Sequence, residues 1–325
     1  MRKISLLIHE DANLSAVAGA IDLFTAANWC FELSGKPPAF KLELVSEKVK
    51  NIQLNTPAQF ICNTTMEEVT QADLIIVPGF IGDDRAILKK NSAVINWIKE
   101  MNRCGTEVAS LCVGSFFLAE AGLLNGKTAT SHWAVANDMQ LRYPLIKVKS
   151  DKIITDEGGV YTGGGAFASL KLMLYLIEKF CGRETALWVS KRYSIDMDQV
   201  SQAHFAVFTG QHQHGDEEIL KSQAHIEQNY STDISIDEVS ALVNTGKRNF
   251  IRRFKAATNN TPIEYLQRVR IEAAKKVLED KDWTLNEVMD ATGYKDMKTF
   301  RTIFKRIAGL SPYDYRKKYS RNTNV

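Results

Sequence analysis

The sequence predicts two domains of different class, an α/β doubly wound sheet over residues 1–180 and an all-α domain over residues 222–319. Three observations predict them. Short apolar runs alternate with amphipathic ones through the first 180 residues, the signature of buried strands alternating with helices. That rhythm breaks after Cys181, and from about Ser222 the pattern is almost wholly helical. Near the end one segment occurs twice: NFIRRFKAATNNTPIEY (249–265) and TFRTIFKRIAGLSPYDY (299–315) superimpose at an offset of 50 residues. A chain of 325 residues is too long for one ordinary core and suits two.

Taken in order, ISLLIHE, KLELVSE, DLIIVPGF, EVASLC and IKVKS are predicted strands. LSAVAGAIDLFTAANW, SAVINWIKEM, SFFLAEAGLL and SLKLMLYLIEKF are predicted helices. In such a sheet ligands bind where strands end and helices begin. The start, MRKISLLIHEDA, has a short basic end followed at once by acidic residues, without a small-residue cleavage site, and is expected to be a first strand rather than a signal peptide. No apolar run is expected to reach the roughly 20 residues that span a bilayer. Residues 181–221 carry one short helix and then polar residues with His204, His212 and His214. A metal cluster there would need Cys or acidic partners at ligand spacing beside the QHQH pair, so a polar linker is expected, with no metal and no cofactor. The five cysteines (Cys30, Cys62, Cys104, Cys112, Cys181) are odd in number and scattered, which indicates neither a disulfide framework nor a zinc site and fits a reducing cytoplasm.

The duplicated segments lie in larger units. In the first, Ser235 is placed to cap a helix beginning near Ile236, a turn follows at Asn244-Thr245-Gly246, and a second helix carries Lys247, Arg248, Arg252 and Arg253. In the second, Thr284 is the cap, the turn surrounds Gly293, and the following helix carries Lys295, Lys298, Arg301, Lys305 and Arg306. Helix, short Gly-containing turn and basic helix make the helix-turn-helix pattern, whose second helix fits the major groove of DNA. Phe250 and Phe254, like Phe300 and Phe304, are four apart, so each pair buries on one face and leaves the basic face outward. Thr261-Pro262 and Ser311-Pro312 read as N-cap plus Pro at the first helical position, with Tyr265 and Tyr315 packing back. Between the units, Ile263, Leu266, Val269, Ala273 and Val277 fall at helical spacing and predict a connecting helix. Charge agrees: residues 223–325 hold 19 Lys and Arg against 13 Asp and Glu, a balance of +6, whereas the first 222 carry −3.

In these features residues 222–319 resemble the AraC/XylS-type DNA-binding domain, a double helix-turn-helix, including the Gly-Tyr after the second unit's first helix and the closing S-P-x-x-Y. The resemblance implies base-reading positions at Arg248, Ile251 and Arg252 in the first unit and at Met297, Lys298, Arg301 and Thr302 in the second. Lys247, Arg253, Lys255 and Lys305 are implied phosphate or structural residues. Ile251 could touch a thymine methyl or pack.

Cys112, in EVASLCVGSFFLAEAGLLNGKTATSHW, falls where a buried strand stops and a helix begins, near N–H groups that favour a thiolate, with His132 twenty residues later. A buried small hydrophobe is the other reading. Together with IIVPGF and TSHW, this stretch resembles the DJ-1/PfpI superfamily, which implies a flavodoxin-like, class I glutamine amidotransferase-like sheet over residues 1–180 and a possible effector pocket at Cys112, His132, Gly79 and Phe80. The departures argue against catalysis. Val113 stands where peptidase-like members have histidine, Ala16 about where a glutamate tunes the thiol, and Phe80 where a second glycine would open the loop; His132 lacks an orienting acid. Lys171 stands where related regulators often have aspartate.

The combination resembles the GlxA-like branch of AraC-family transcriptional regulators. It implies a cytoplasmic regulator with a non-catalytic first domain, and as partners double-stranded DNA, a small-molecule effector, a second copy of the chain in a homodimer, and RNA polymerase. Two alternatives stay open: a DJ-1/PfpI-type cysteine enzyme (amidase, deglycase or hydratase) and a thiol redox sensor, each tethered to DNA. The expected division is 1–180, a linker over 181–221, 222–319 and a tail over 320–325.

Overall fold

A computed structural model describes residues 1–199, 201–280 and 283–320, and the chain divides into two compact units, Met1–Gln202 and Ala203–Val325. In the first unit the strands are β1 (Arg2–Leu7), β2 (Phe40–Ser46), β3 (Asn51–Gln53), β4 (Gln59–Ile61), β5 (Thr64–Thr65), β6 (Leu74–Val77), β7 (Glu107–Ser110), β8 (Thr128–Ala129), β9 (Lys147–Val148), β10 (Ile154–Asp156) and β11 (Val160–Gly163). The helices are α1 (Leu14–Leu33), α2 (Asp84–Lys90), α3 (Ser92–Arg103), α4 (Ser115–Glu120), α5 (Ala136–Arg142), α6 (Leu170–Cys181) and α7 (Arg183–Arg192). Seven strands form one sheet in the order β10-β11-β7-β6-β1-β2-β5, parallel throughout except for β10 on β11.

Alternate strand residues feed two cores, as the period of a pleated strand requires. Ile4, Leu6, Leu74 and Ile76 pack with α1, α6 and α7 on one face; Leu7, Ile75, Val77 and Val108 pack with α2, α3 and α4 on the other. This is the doubly wound sheet the sequence predicts. Several details differ. The IKVKS segment pairs only with β8 in a separate two-stranded sheet. The hairpin β10–β11, whose ITDEGGVYTG is dominated by turn residues, was not among the predicted strands. Helix α4 stops at Glu120, and Gly122 takes φ of +77°, so the predicted run to Leu124 is cut short. Contrary to the expected absence of a long apolar run, α1 spans 20 residues and is long and apolar enough by composition to cross a membrane. Its Val17, Ala20, Phe24 and Ala27 instead lie at 0% exposure in the first core.

The segment expected as a linker, 181–221, is divided between the two units. Cys181 ends α6, and α7 buries Ala186 and Val189 against α1 and α6, so it belongs to the first unit. The second unit contains α8 (Glu217–Asn229), α9 (Ile236–Leu242), α10 (Lys247–Thr258), α11 (Pro262–Leu278), α12 (Leu285–Ala291), α13 (Met297–Ala308) and α14 (Pro312–Tyr319). The expected tail beyond Ser320 lies outside the described residues.

Local sequence explains where these helices start. Ser235, Thr261 and Thr284 each close a capping box with Glu238, Glu264 and Glu287, and Ser311 caps α14 ahead of Pro312. Asn244 at φ +47° and Gly293 at φ +78° make the two turns, and a side chain at Gly293 would meet the Tyr230 and Ser231 carbonyls at 2.8 Å. Phe250, Phe254, Phe300 and Phe304 are all at 0% exposure. They build two small cores, one with Val239 and Tyr265, the other with Val288 and Tyr315. The buried face of α11 includes Tyr265, Leu266, Ile271, Ala274 and Leu278; of the stripe read from the sequence Leu266 is buried and Val269 and Val277 pack half-buried against the two cores, but Ile263 is 55% exposed. The reason is that α11 serves two cores at once, so its apolar surface follows both neighbours rather than one line.

Phe254→Ala should therefore destabilise the second unit by about 3–5 kcal/mol, whereas Ile263→Ala should change stability by less than about 0.5 kcal/mol. Urea unfolding of both variants followed by circular dichroism checks this, and comparable losses would refute the burial pattern.

Candidate functional site

Helices α10 and α13 present the candidate nucleic-acid face. Because the phenylalanines point inward, Lys247, Arg248, Arg252 and Lys255 are exposed on α10, and Lys298, Arg301, Thr302, Lys305 and Arg306 are exposed on α13. Arg248, Lys298, Arg301 and Lys305 make no salt bridge among the described residues. Lys247 pairs with Asp237 at 2.9 Å, but both side chains are solvent-exposed, and such pairs contribute about 0–1 kcal/mol and yield readily to a phosphate. Arg252 donates to Asn249 at 2.9 Å.

Three of the implied residues are half-buried: Ile251 and Arg253 take the packing and structural alternatives left open for them, and Met297 departs from its expected base-reading place. Ile251 is half-buried and packs into the first core, and Met297 packs likewise into the second. Each is too far inside the helix face to present its side chain fully. Arg253 is half-buried and held by Asp216 through two hydrogen bonds of 2.7 and 3.1 Å, which makes it a structural residue of its own unit.

The Cys112 corner of the first unit is built at the strand ends. Cys112 follows β7 in a 3-10 turn, Cys112–Gly114, with φ of +56°, a strained setting for a residue with a Cβ that recurs at functional turns. The turn is forced by close packing, since a Cβ on Gly114 would lie 2.6 Å from the Pro78 carbonyl and one on Gly79 would lie 3.0 Å from the Cys112 Cβ. Ser115 Oγ donates to Ser131 Oγ at 2.8 Å, and Ser131 Oγ donates to the Cys112 carbonyl at 3.2 Å. The thiol is buried at 6% exposure. Burial pushes its pKa above the ordinary value, outweighing the Ala166 and Val113 N–H groups that face the sulfur. The sequence expectation of a turn that favours thiolate is thus reversed: two N–H donors are present, but desolvation wins.

His132 lines the same corner. Its ring lies against Gly165, where a Cβ would come within 2.4 Å of Cδ2, and Gly165 precedes the Ala166 N–H that faces Cys112. Its Nδ1 accepts from the Ala134 N–H at 3.1 Å, and burial lowers its pKa. No hydrogen bond links His132 to Cys112 or to a carboxylate among the described residues. Phe80 is 7% exposed and meets the Phe117 ring edge-on at 5.7 Å, filling the space a glycine would leave. Ala16 is buried near the start of α1 and Val113 is half-buried. Lys171 is 8% exposed and donates to the Gln199 carbonyl at 3.3 Å.

Two residues of this region were missed in the sequence. Gln202 is 1% exposed and bonds Gly165 and Ser131, a role that no local pattern announces. His9, just past β1, is 5% exposed beside Phe117, and neither ring nitrogen has a hydrogen-bond partner among the described residues. Burial, with Asp11 and Glu10 opposing it and Lys90 assisting, lowers its pKa to about 4. Among the described residues no group of His, Cys, Asp and Glu is arranged to hold a metal, and His204, His212 and His214 instead join hydrogen bonds and ring contacts of the second unit.

Residues 2–179 match the model of the DJ-1/PfpI family and residues 239–318 that of a helix-turn-helix domain. The chain is similar to the HTH-type transcriptional regulator GbdR of Pseudomonas aeruginosa, 24% identical over 319 residues that cover 97% of this chain and 84% of that one. It is also similar to the isonitrile hydratase of Pseudomonas putida, 32% identical over 156 residues covering 48% of this chain and 66% of the other. Among solved structures, an AraC family transcriptional regulator from Pseudomonas putida superimposes with a TM-score of 0.52 at 16% identity, covering 59% of this chain and 100% of that one, a shared fold.

The His9 shift predicts a pH dependence. The folded pKa lies below the unfolded one, so between them the unfolded chain binds a proton that the folded chain refuses, and stability falls as pH drops from 6.5 toward 4. The loss should be about 1.5 kcal/mol between pH 6.5 and 5. Denaturant unfolding across that range should show a clearly flatter slope in His9→Gln, and an unchanged slope would remove His9 as the cause.

Proposed function

The chain belongs to the DJ-1/PfpI family and closes with an AraC-type helix-turn-helix domain, and we propose that it is a sequence-specific transcriptional regulator with a non-catalytic, ligand-sensing first unit. One observation carries the DNA-binding part: two helices repeated at an offset of 50 residues bury matched phenylalanine pairs and turn matched basic faces outward. The helix joining them, α11, has 17 residues, a length of about 26 Å that suits two reading heads on successive major-groove faces about 34 Å apart. Arg252 and Arg301 are suited to bidentate contact with guanine, and Lys298 and Lys305 to phosphates or bases.

A receptor role for the first unit is supported by the place of the Cys112 corner just beyond the end of β7, the location where α/β sheets bind ligands. Against turnover stand the buried, protonated thiol of Cys112 and a His132 that engages neither the thiol nor an orienting acid. A second reading, thiol-dependent hydration, is favoured only by the likeness of part of the chain to an isonitrile hydratase.

A duplex selected by the wild-type chain from a random-sequence pool provides the test. Arg252→Glu combined with Arg301→Glu should weaken binding at least ~100-fold while leaving the melting profile intact, and wild-type affinity in that variant would refute the groove assignment. Cys112→Ser should bind the duplex with wild-type affinity in reducing buffer, and isonitrile hydration by the wild-type chain but not by this variant would establish the second reading.

A further inference from the structure

Gln202 is the last residue of the first unit and Ala203 the first of the second. The Gln202 amide is bound into the wall of the Cys112 corner. Its Nε2 donates to the carbonyls of Ser131 at 2.8 Å and Lys152 at 3.0 Å and to Thr130 Oγ1 at 3.3 Å, and its Oε1 accepts the Gly165 N–H at 2.9 Å. Gly164 has no room for a side chain there, since a Cβ would lie 2.8 Å from Gln202 Oε1. These wall residues are also those that surround Cys112: Ser131 holds its carbonyl, and Gly165-Ala166 separates its sulfur from His132. Lys171, through the Gln199 carbonyl, and the bridge between Lys152 and Ser201 hold the residues just before it.

Beyond that peptide bond, residues 203–216 form a strap laid on the second unit. The Ala206 carbonyl accepts from Lys275, whose side chain is 5% exposed. The Phe208 N–H donates to Glu272 at 3.1 Å, and its ring meets Tyr265 edge-on. Gln223, at 0% exposure, donates to the Gln211 carbonyl at 2.9 Å and pairs with His214 at 2.8 Å. One end of the strap, His204, lies against Lys318 and Tyr319 of α14; the other, Asp216, clamps Arg253 of α10. The strap therefore touches both helix-turn-helix halves and satisfies polar groups that would otherwise be buried and unpaired.

We propose that Gln202 and the Asp216–Arg253 pair are the two anchors of a regulatory strap, so that movement of the wall at residues 130–131 and 164–165 changes the seating of α10 and the affinity for DNA. This rests on the reading of the chain as a DNA-binding regulator with a ligand crevice. Four hydrogen bonds fasten one anchor and two the other, and the chain between them is bound along its length. A ligand that displaces the wall thus alters the tension on a reading helix without touching it, and the coupling requires only that its affinity differ between the two seatings.

A double-mutant cycle on the full-length chain tests it, with Gln202→Ala, Asp216→Asn and their combination measured against the selected duplex. Each single variant should change Kd, and the double variant should depart at least ~3-fold from the product of the single effects. A smaller departure, or an inert Gln202→Ala, overturns the proposal. Amide hydrogen exchange supplies an arm that needs no DNA: Gln202→Ala should raise exchange at residues 205–216 and in α10 while the central sheet stays protected, and unchanged exchange there overturns it too. If Gln202→Ala does not fold, Gln202→Met, which keeps the buried length and removes the hydrogen bonds, takes its place in both arms. A wild-type chain that selects no duplex refutes the DNA-binding reading, and the exchange arm then still decides the strap.

Discussion

The burial of phenylalanine pairs four residues apart sets the rotational phase of α10 and α13, and with it everything the second unit presents to a partner. Once Phe250 and Phe254 are inside, the 100° step of the helix leaves Arg248, Arg252 and Lys255 no place but solvent. Phe300 and Phe304 do the same for Lys298, Arg301 and Lys305. The same phase draws Ile251 and Met297 partly inward, so the outward surface of each helix is basic and polar. Matching capping boxes then fix where the neighbouring helices begin, which holds each phenylalanine pair against its own small core.

In the first unit the governing constraint is close packing at the strand ends. Gly79 and Gly114 allow the chain to approach so tightly that Cys112 is driven to positive φ. Beside Gly79, Phe80 meets Phe117 edge-on, and burial of the Cys112 thiol raises its pKa, so a strained turn holds a desolvated thiol. The N–H groups of Val113 and Ala166 still aim at the sulfur position, leaving a polar, donor-rich corner in an otherwise apolar setting. His9, buried with unpaired nitrogens beside Phe117, adds a second polar group to that region.

The histidine-containing stretch after α7 shows how composition can mislead. Its polar residues read as a solvated linker, yet they are the partners of buried groups: Gln202 for the crevice wall, Gln211 and His214 for Gln223, Asp216 for Arg253. Lys171, which no sequence argument explained, holds the Gln199 carbonyl at the beginning of this run.

Periodicity and spacing sufficed for what is local. The strand-helix alternation, the duplicated helix pairs, their caps and turns, the inward phenylalanines and the turn at Cys112 follow from steric and hydrogen-bonding rules that act within a few residues, and all are legible in the chain itself. Tertiary structure decided what depends on neighbours distant in sequence. It set which face of α11 is buried, because two cores compete for that helix. It set the protonation of Cys112, because desolvation is a sum over every surrounding atom. It also turned residues 203–216 from linker into strap, because a polar residue's partner is chosen by the fold and leaves no periodic mark in the sequence.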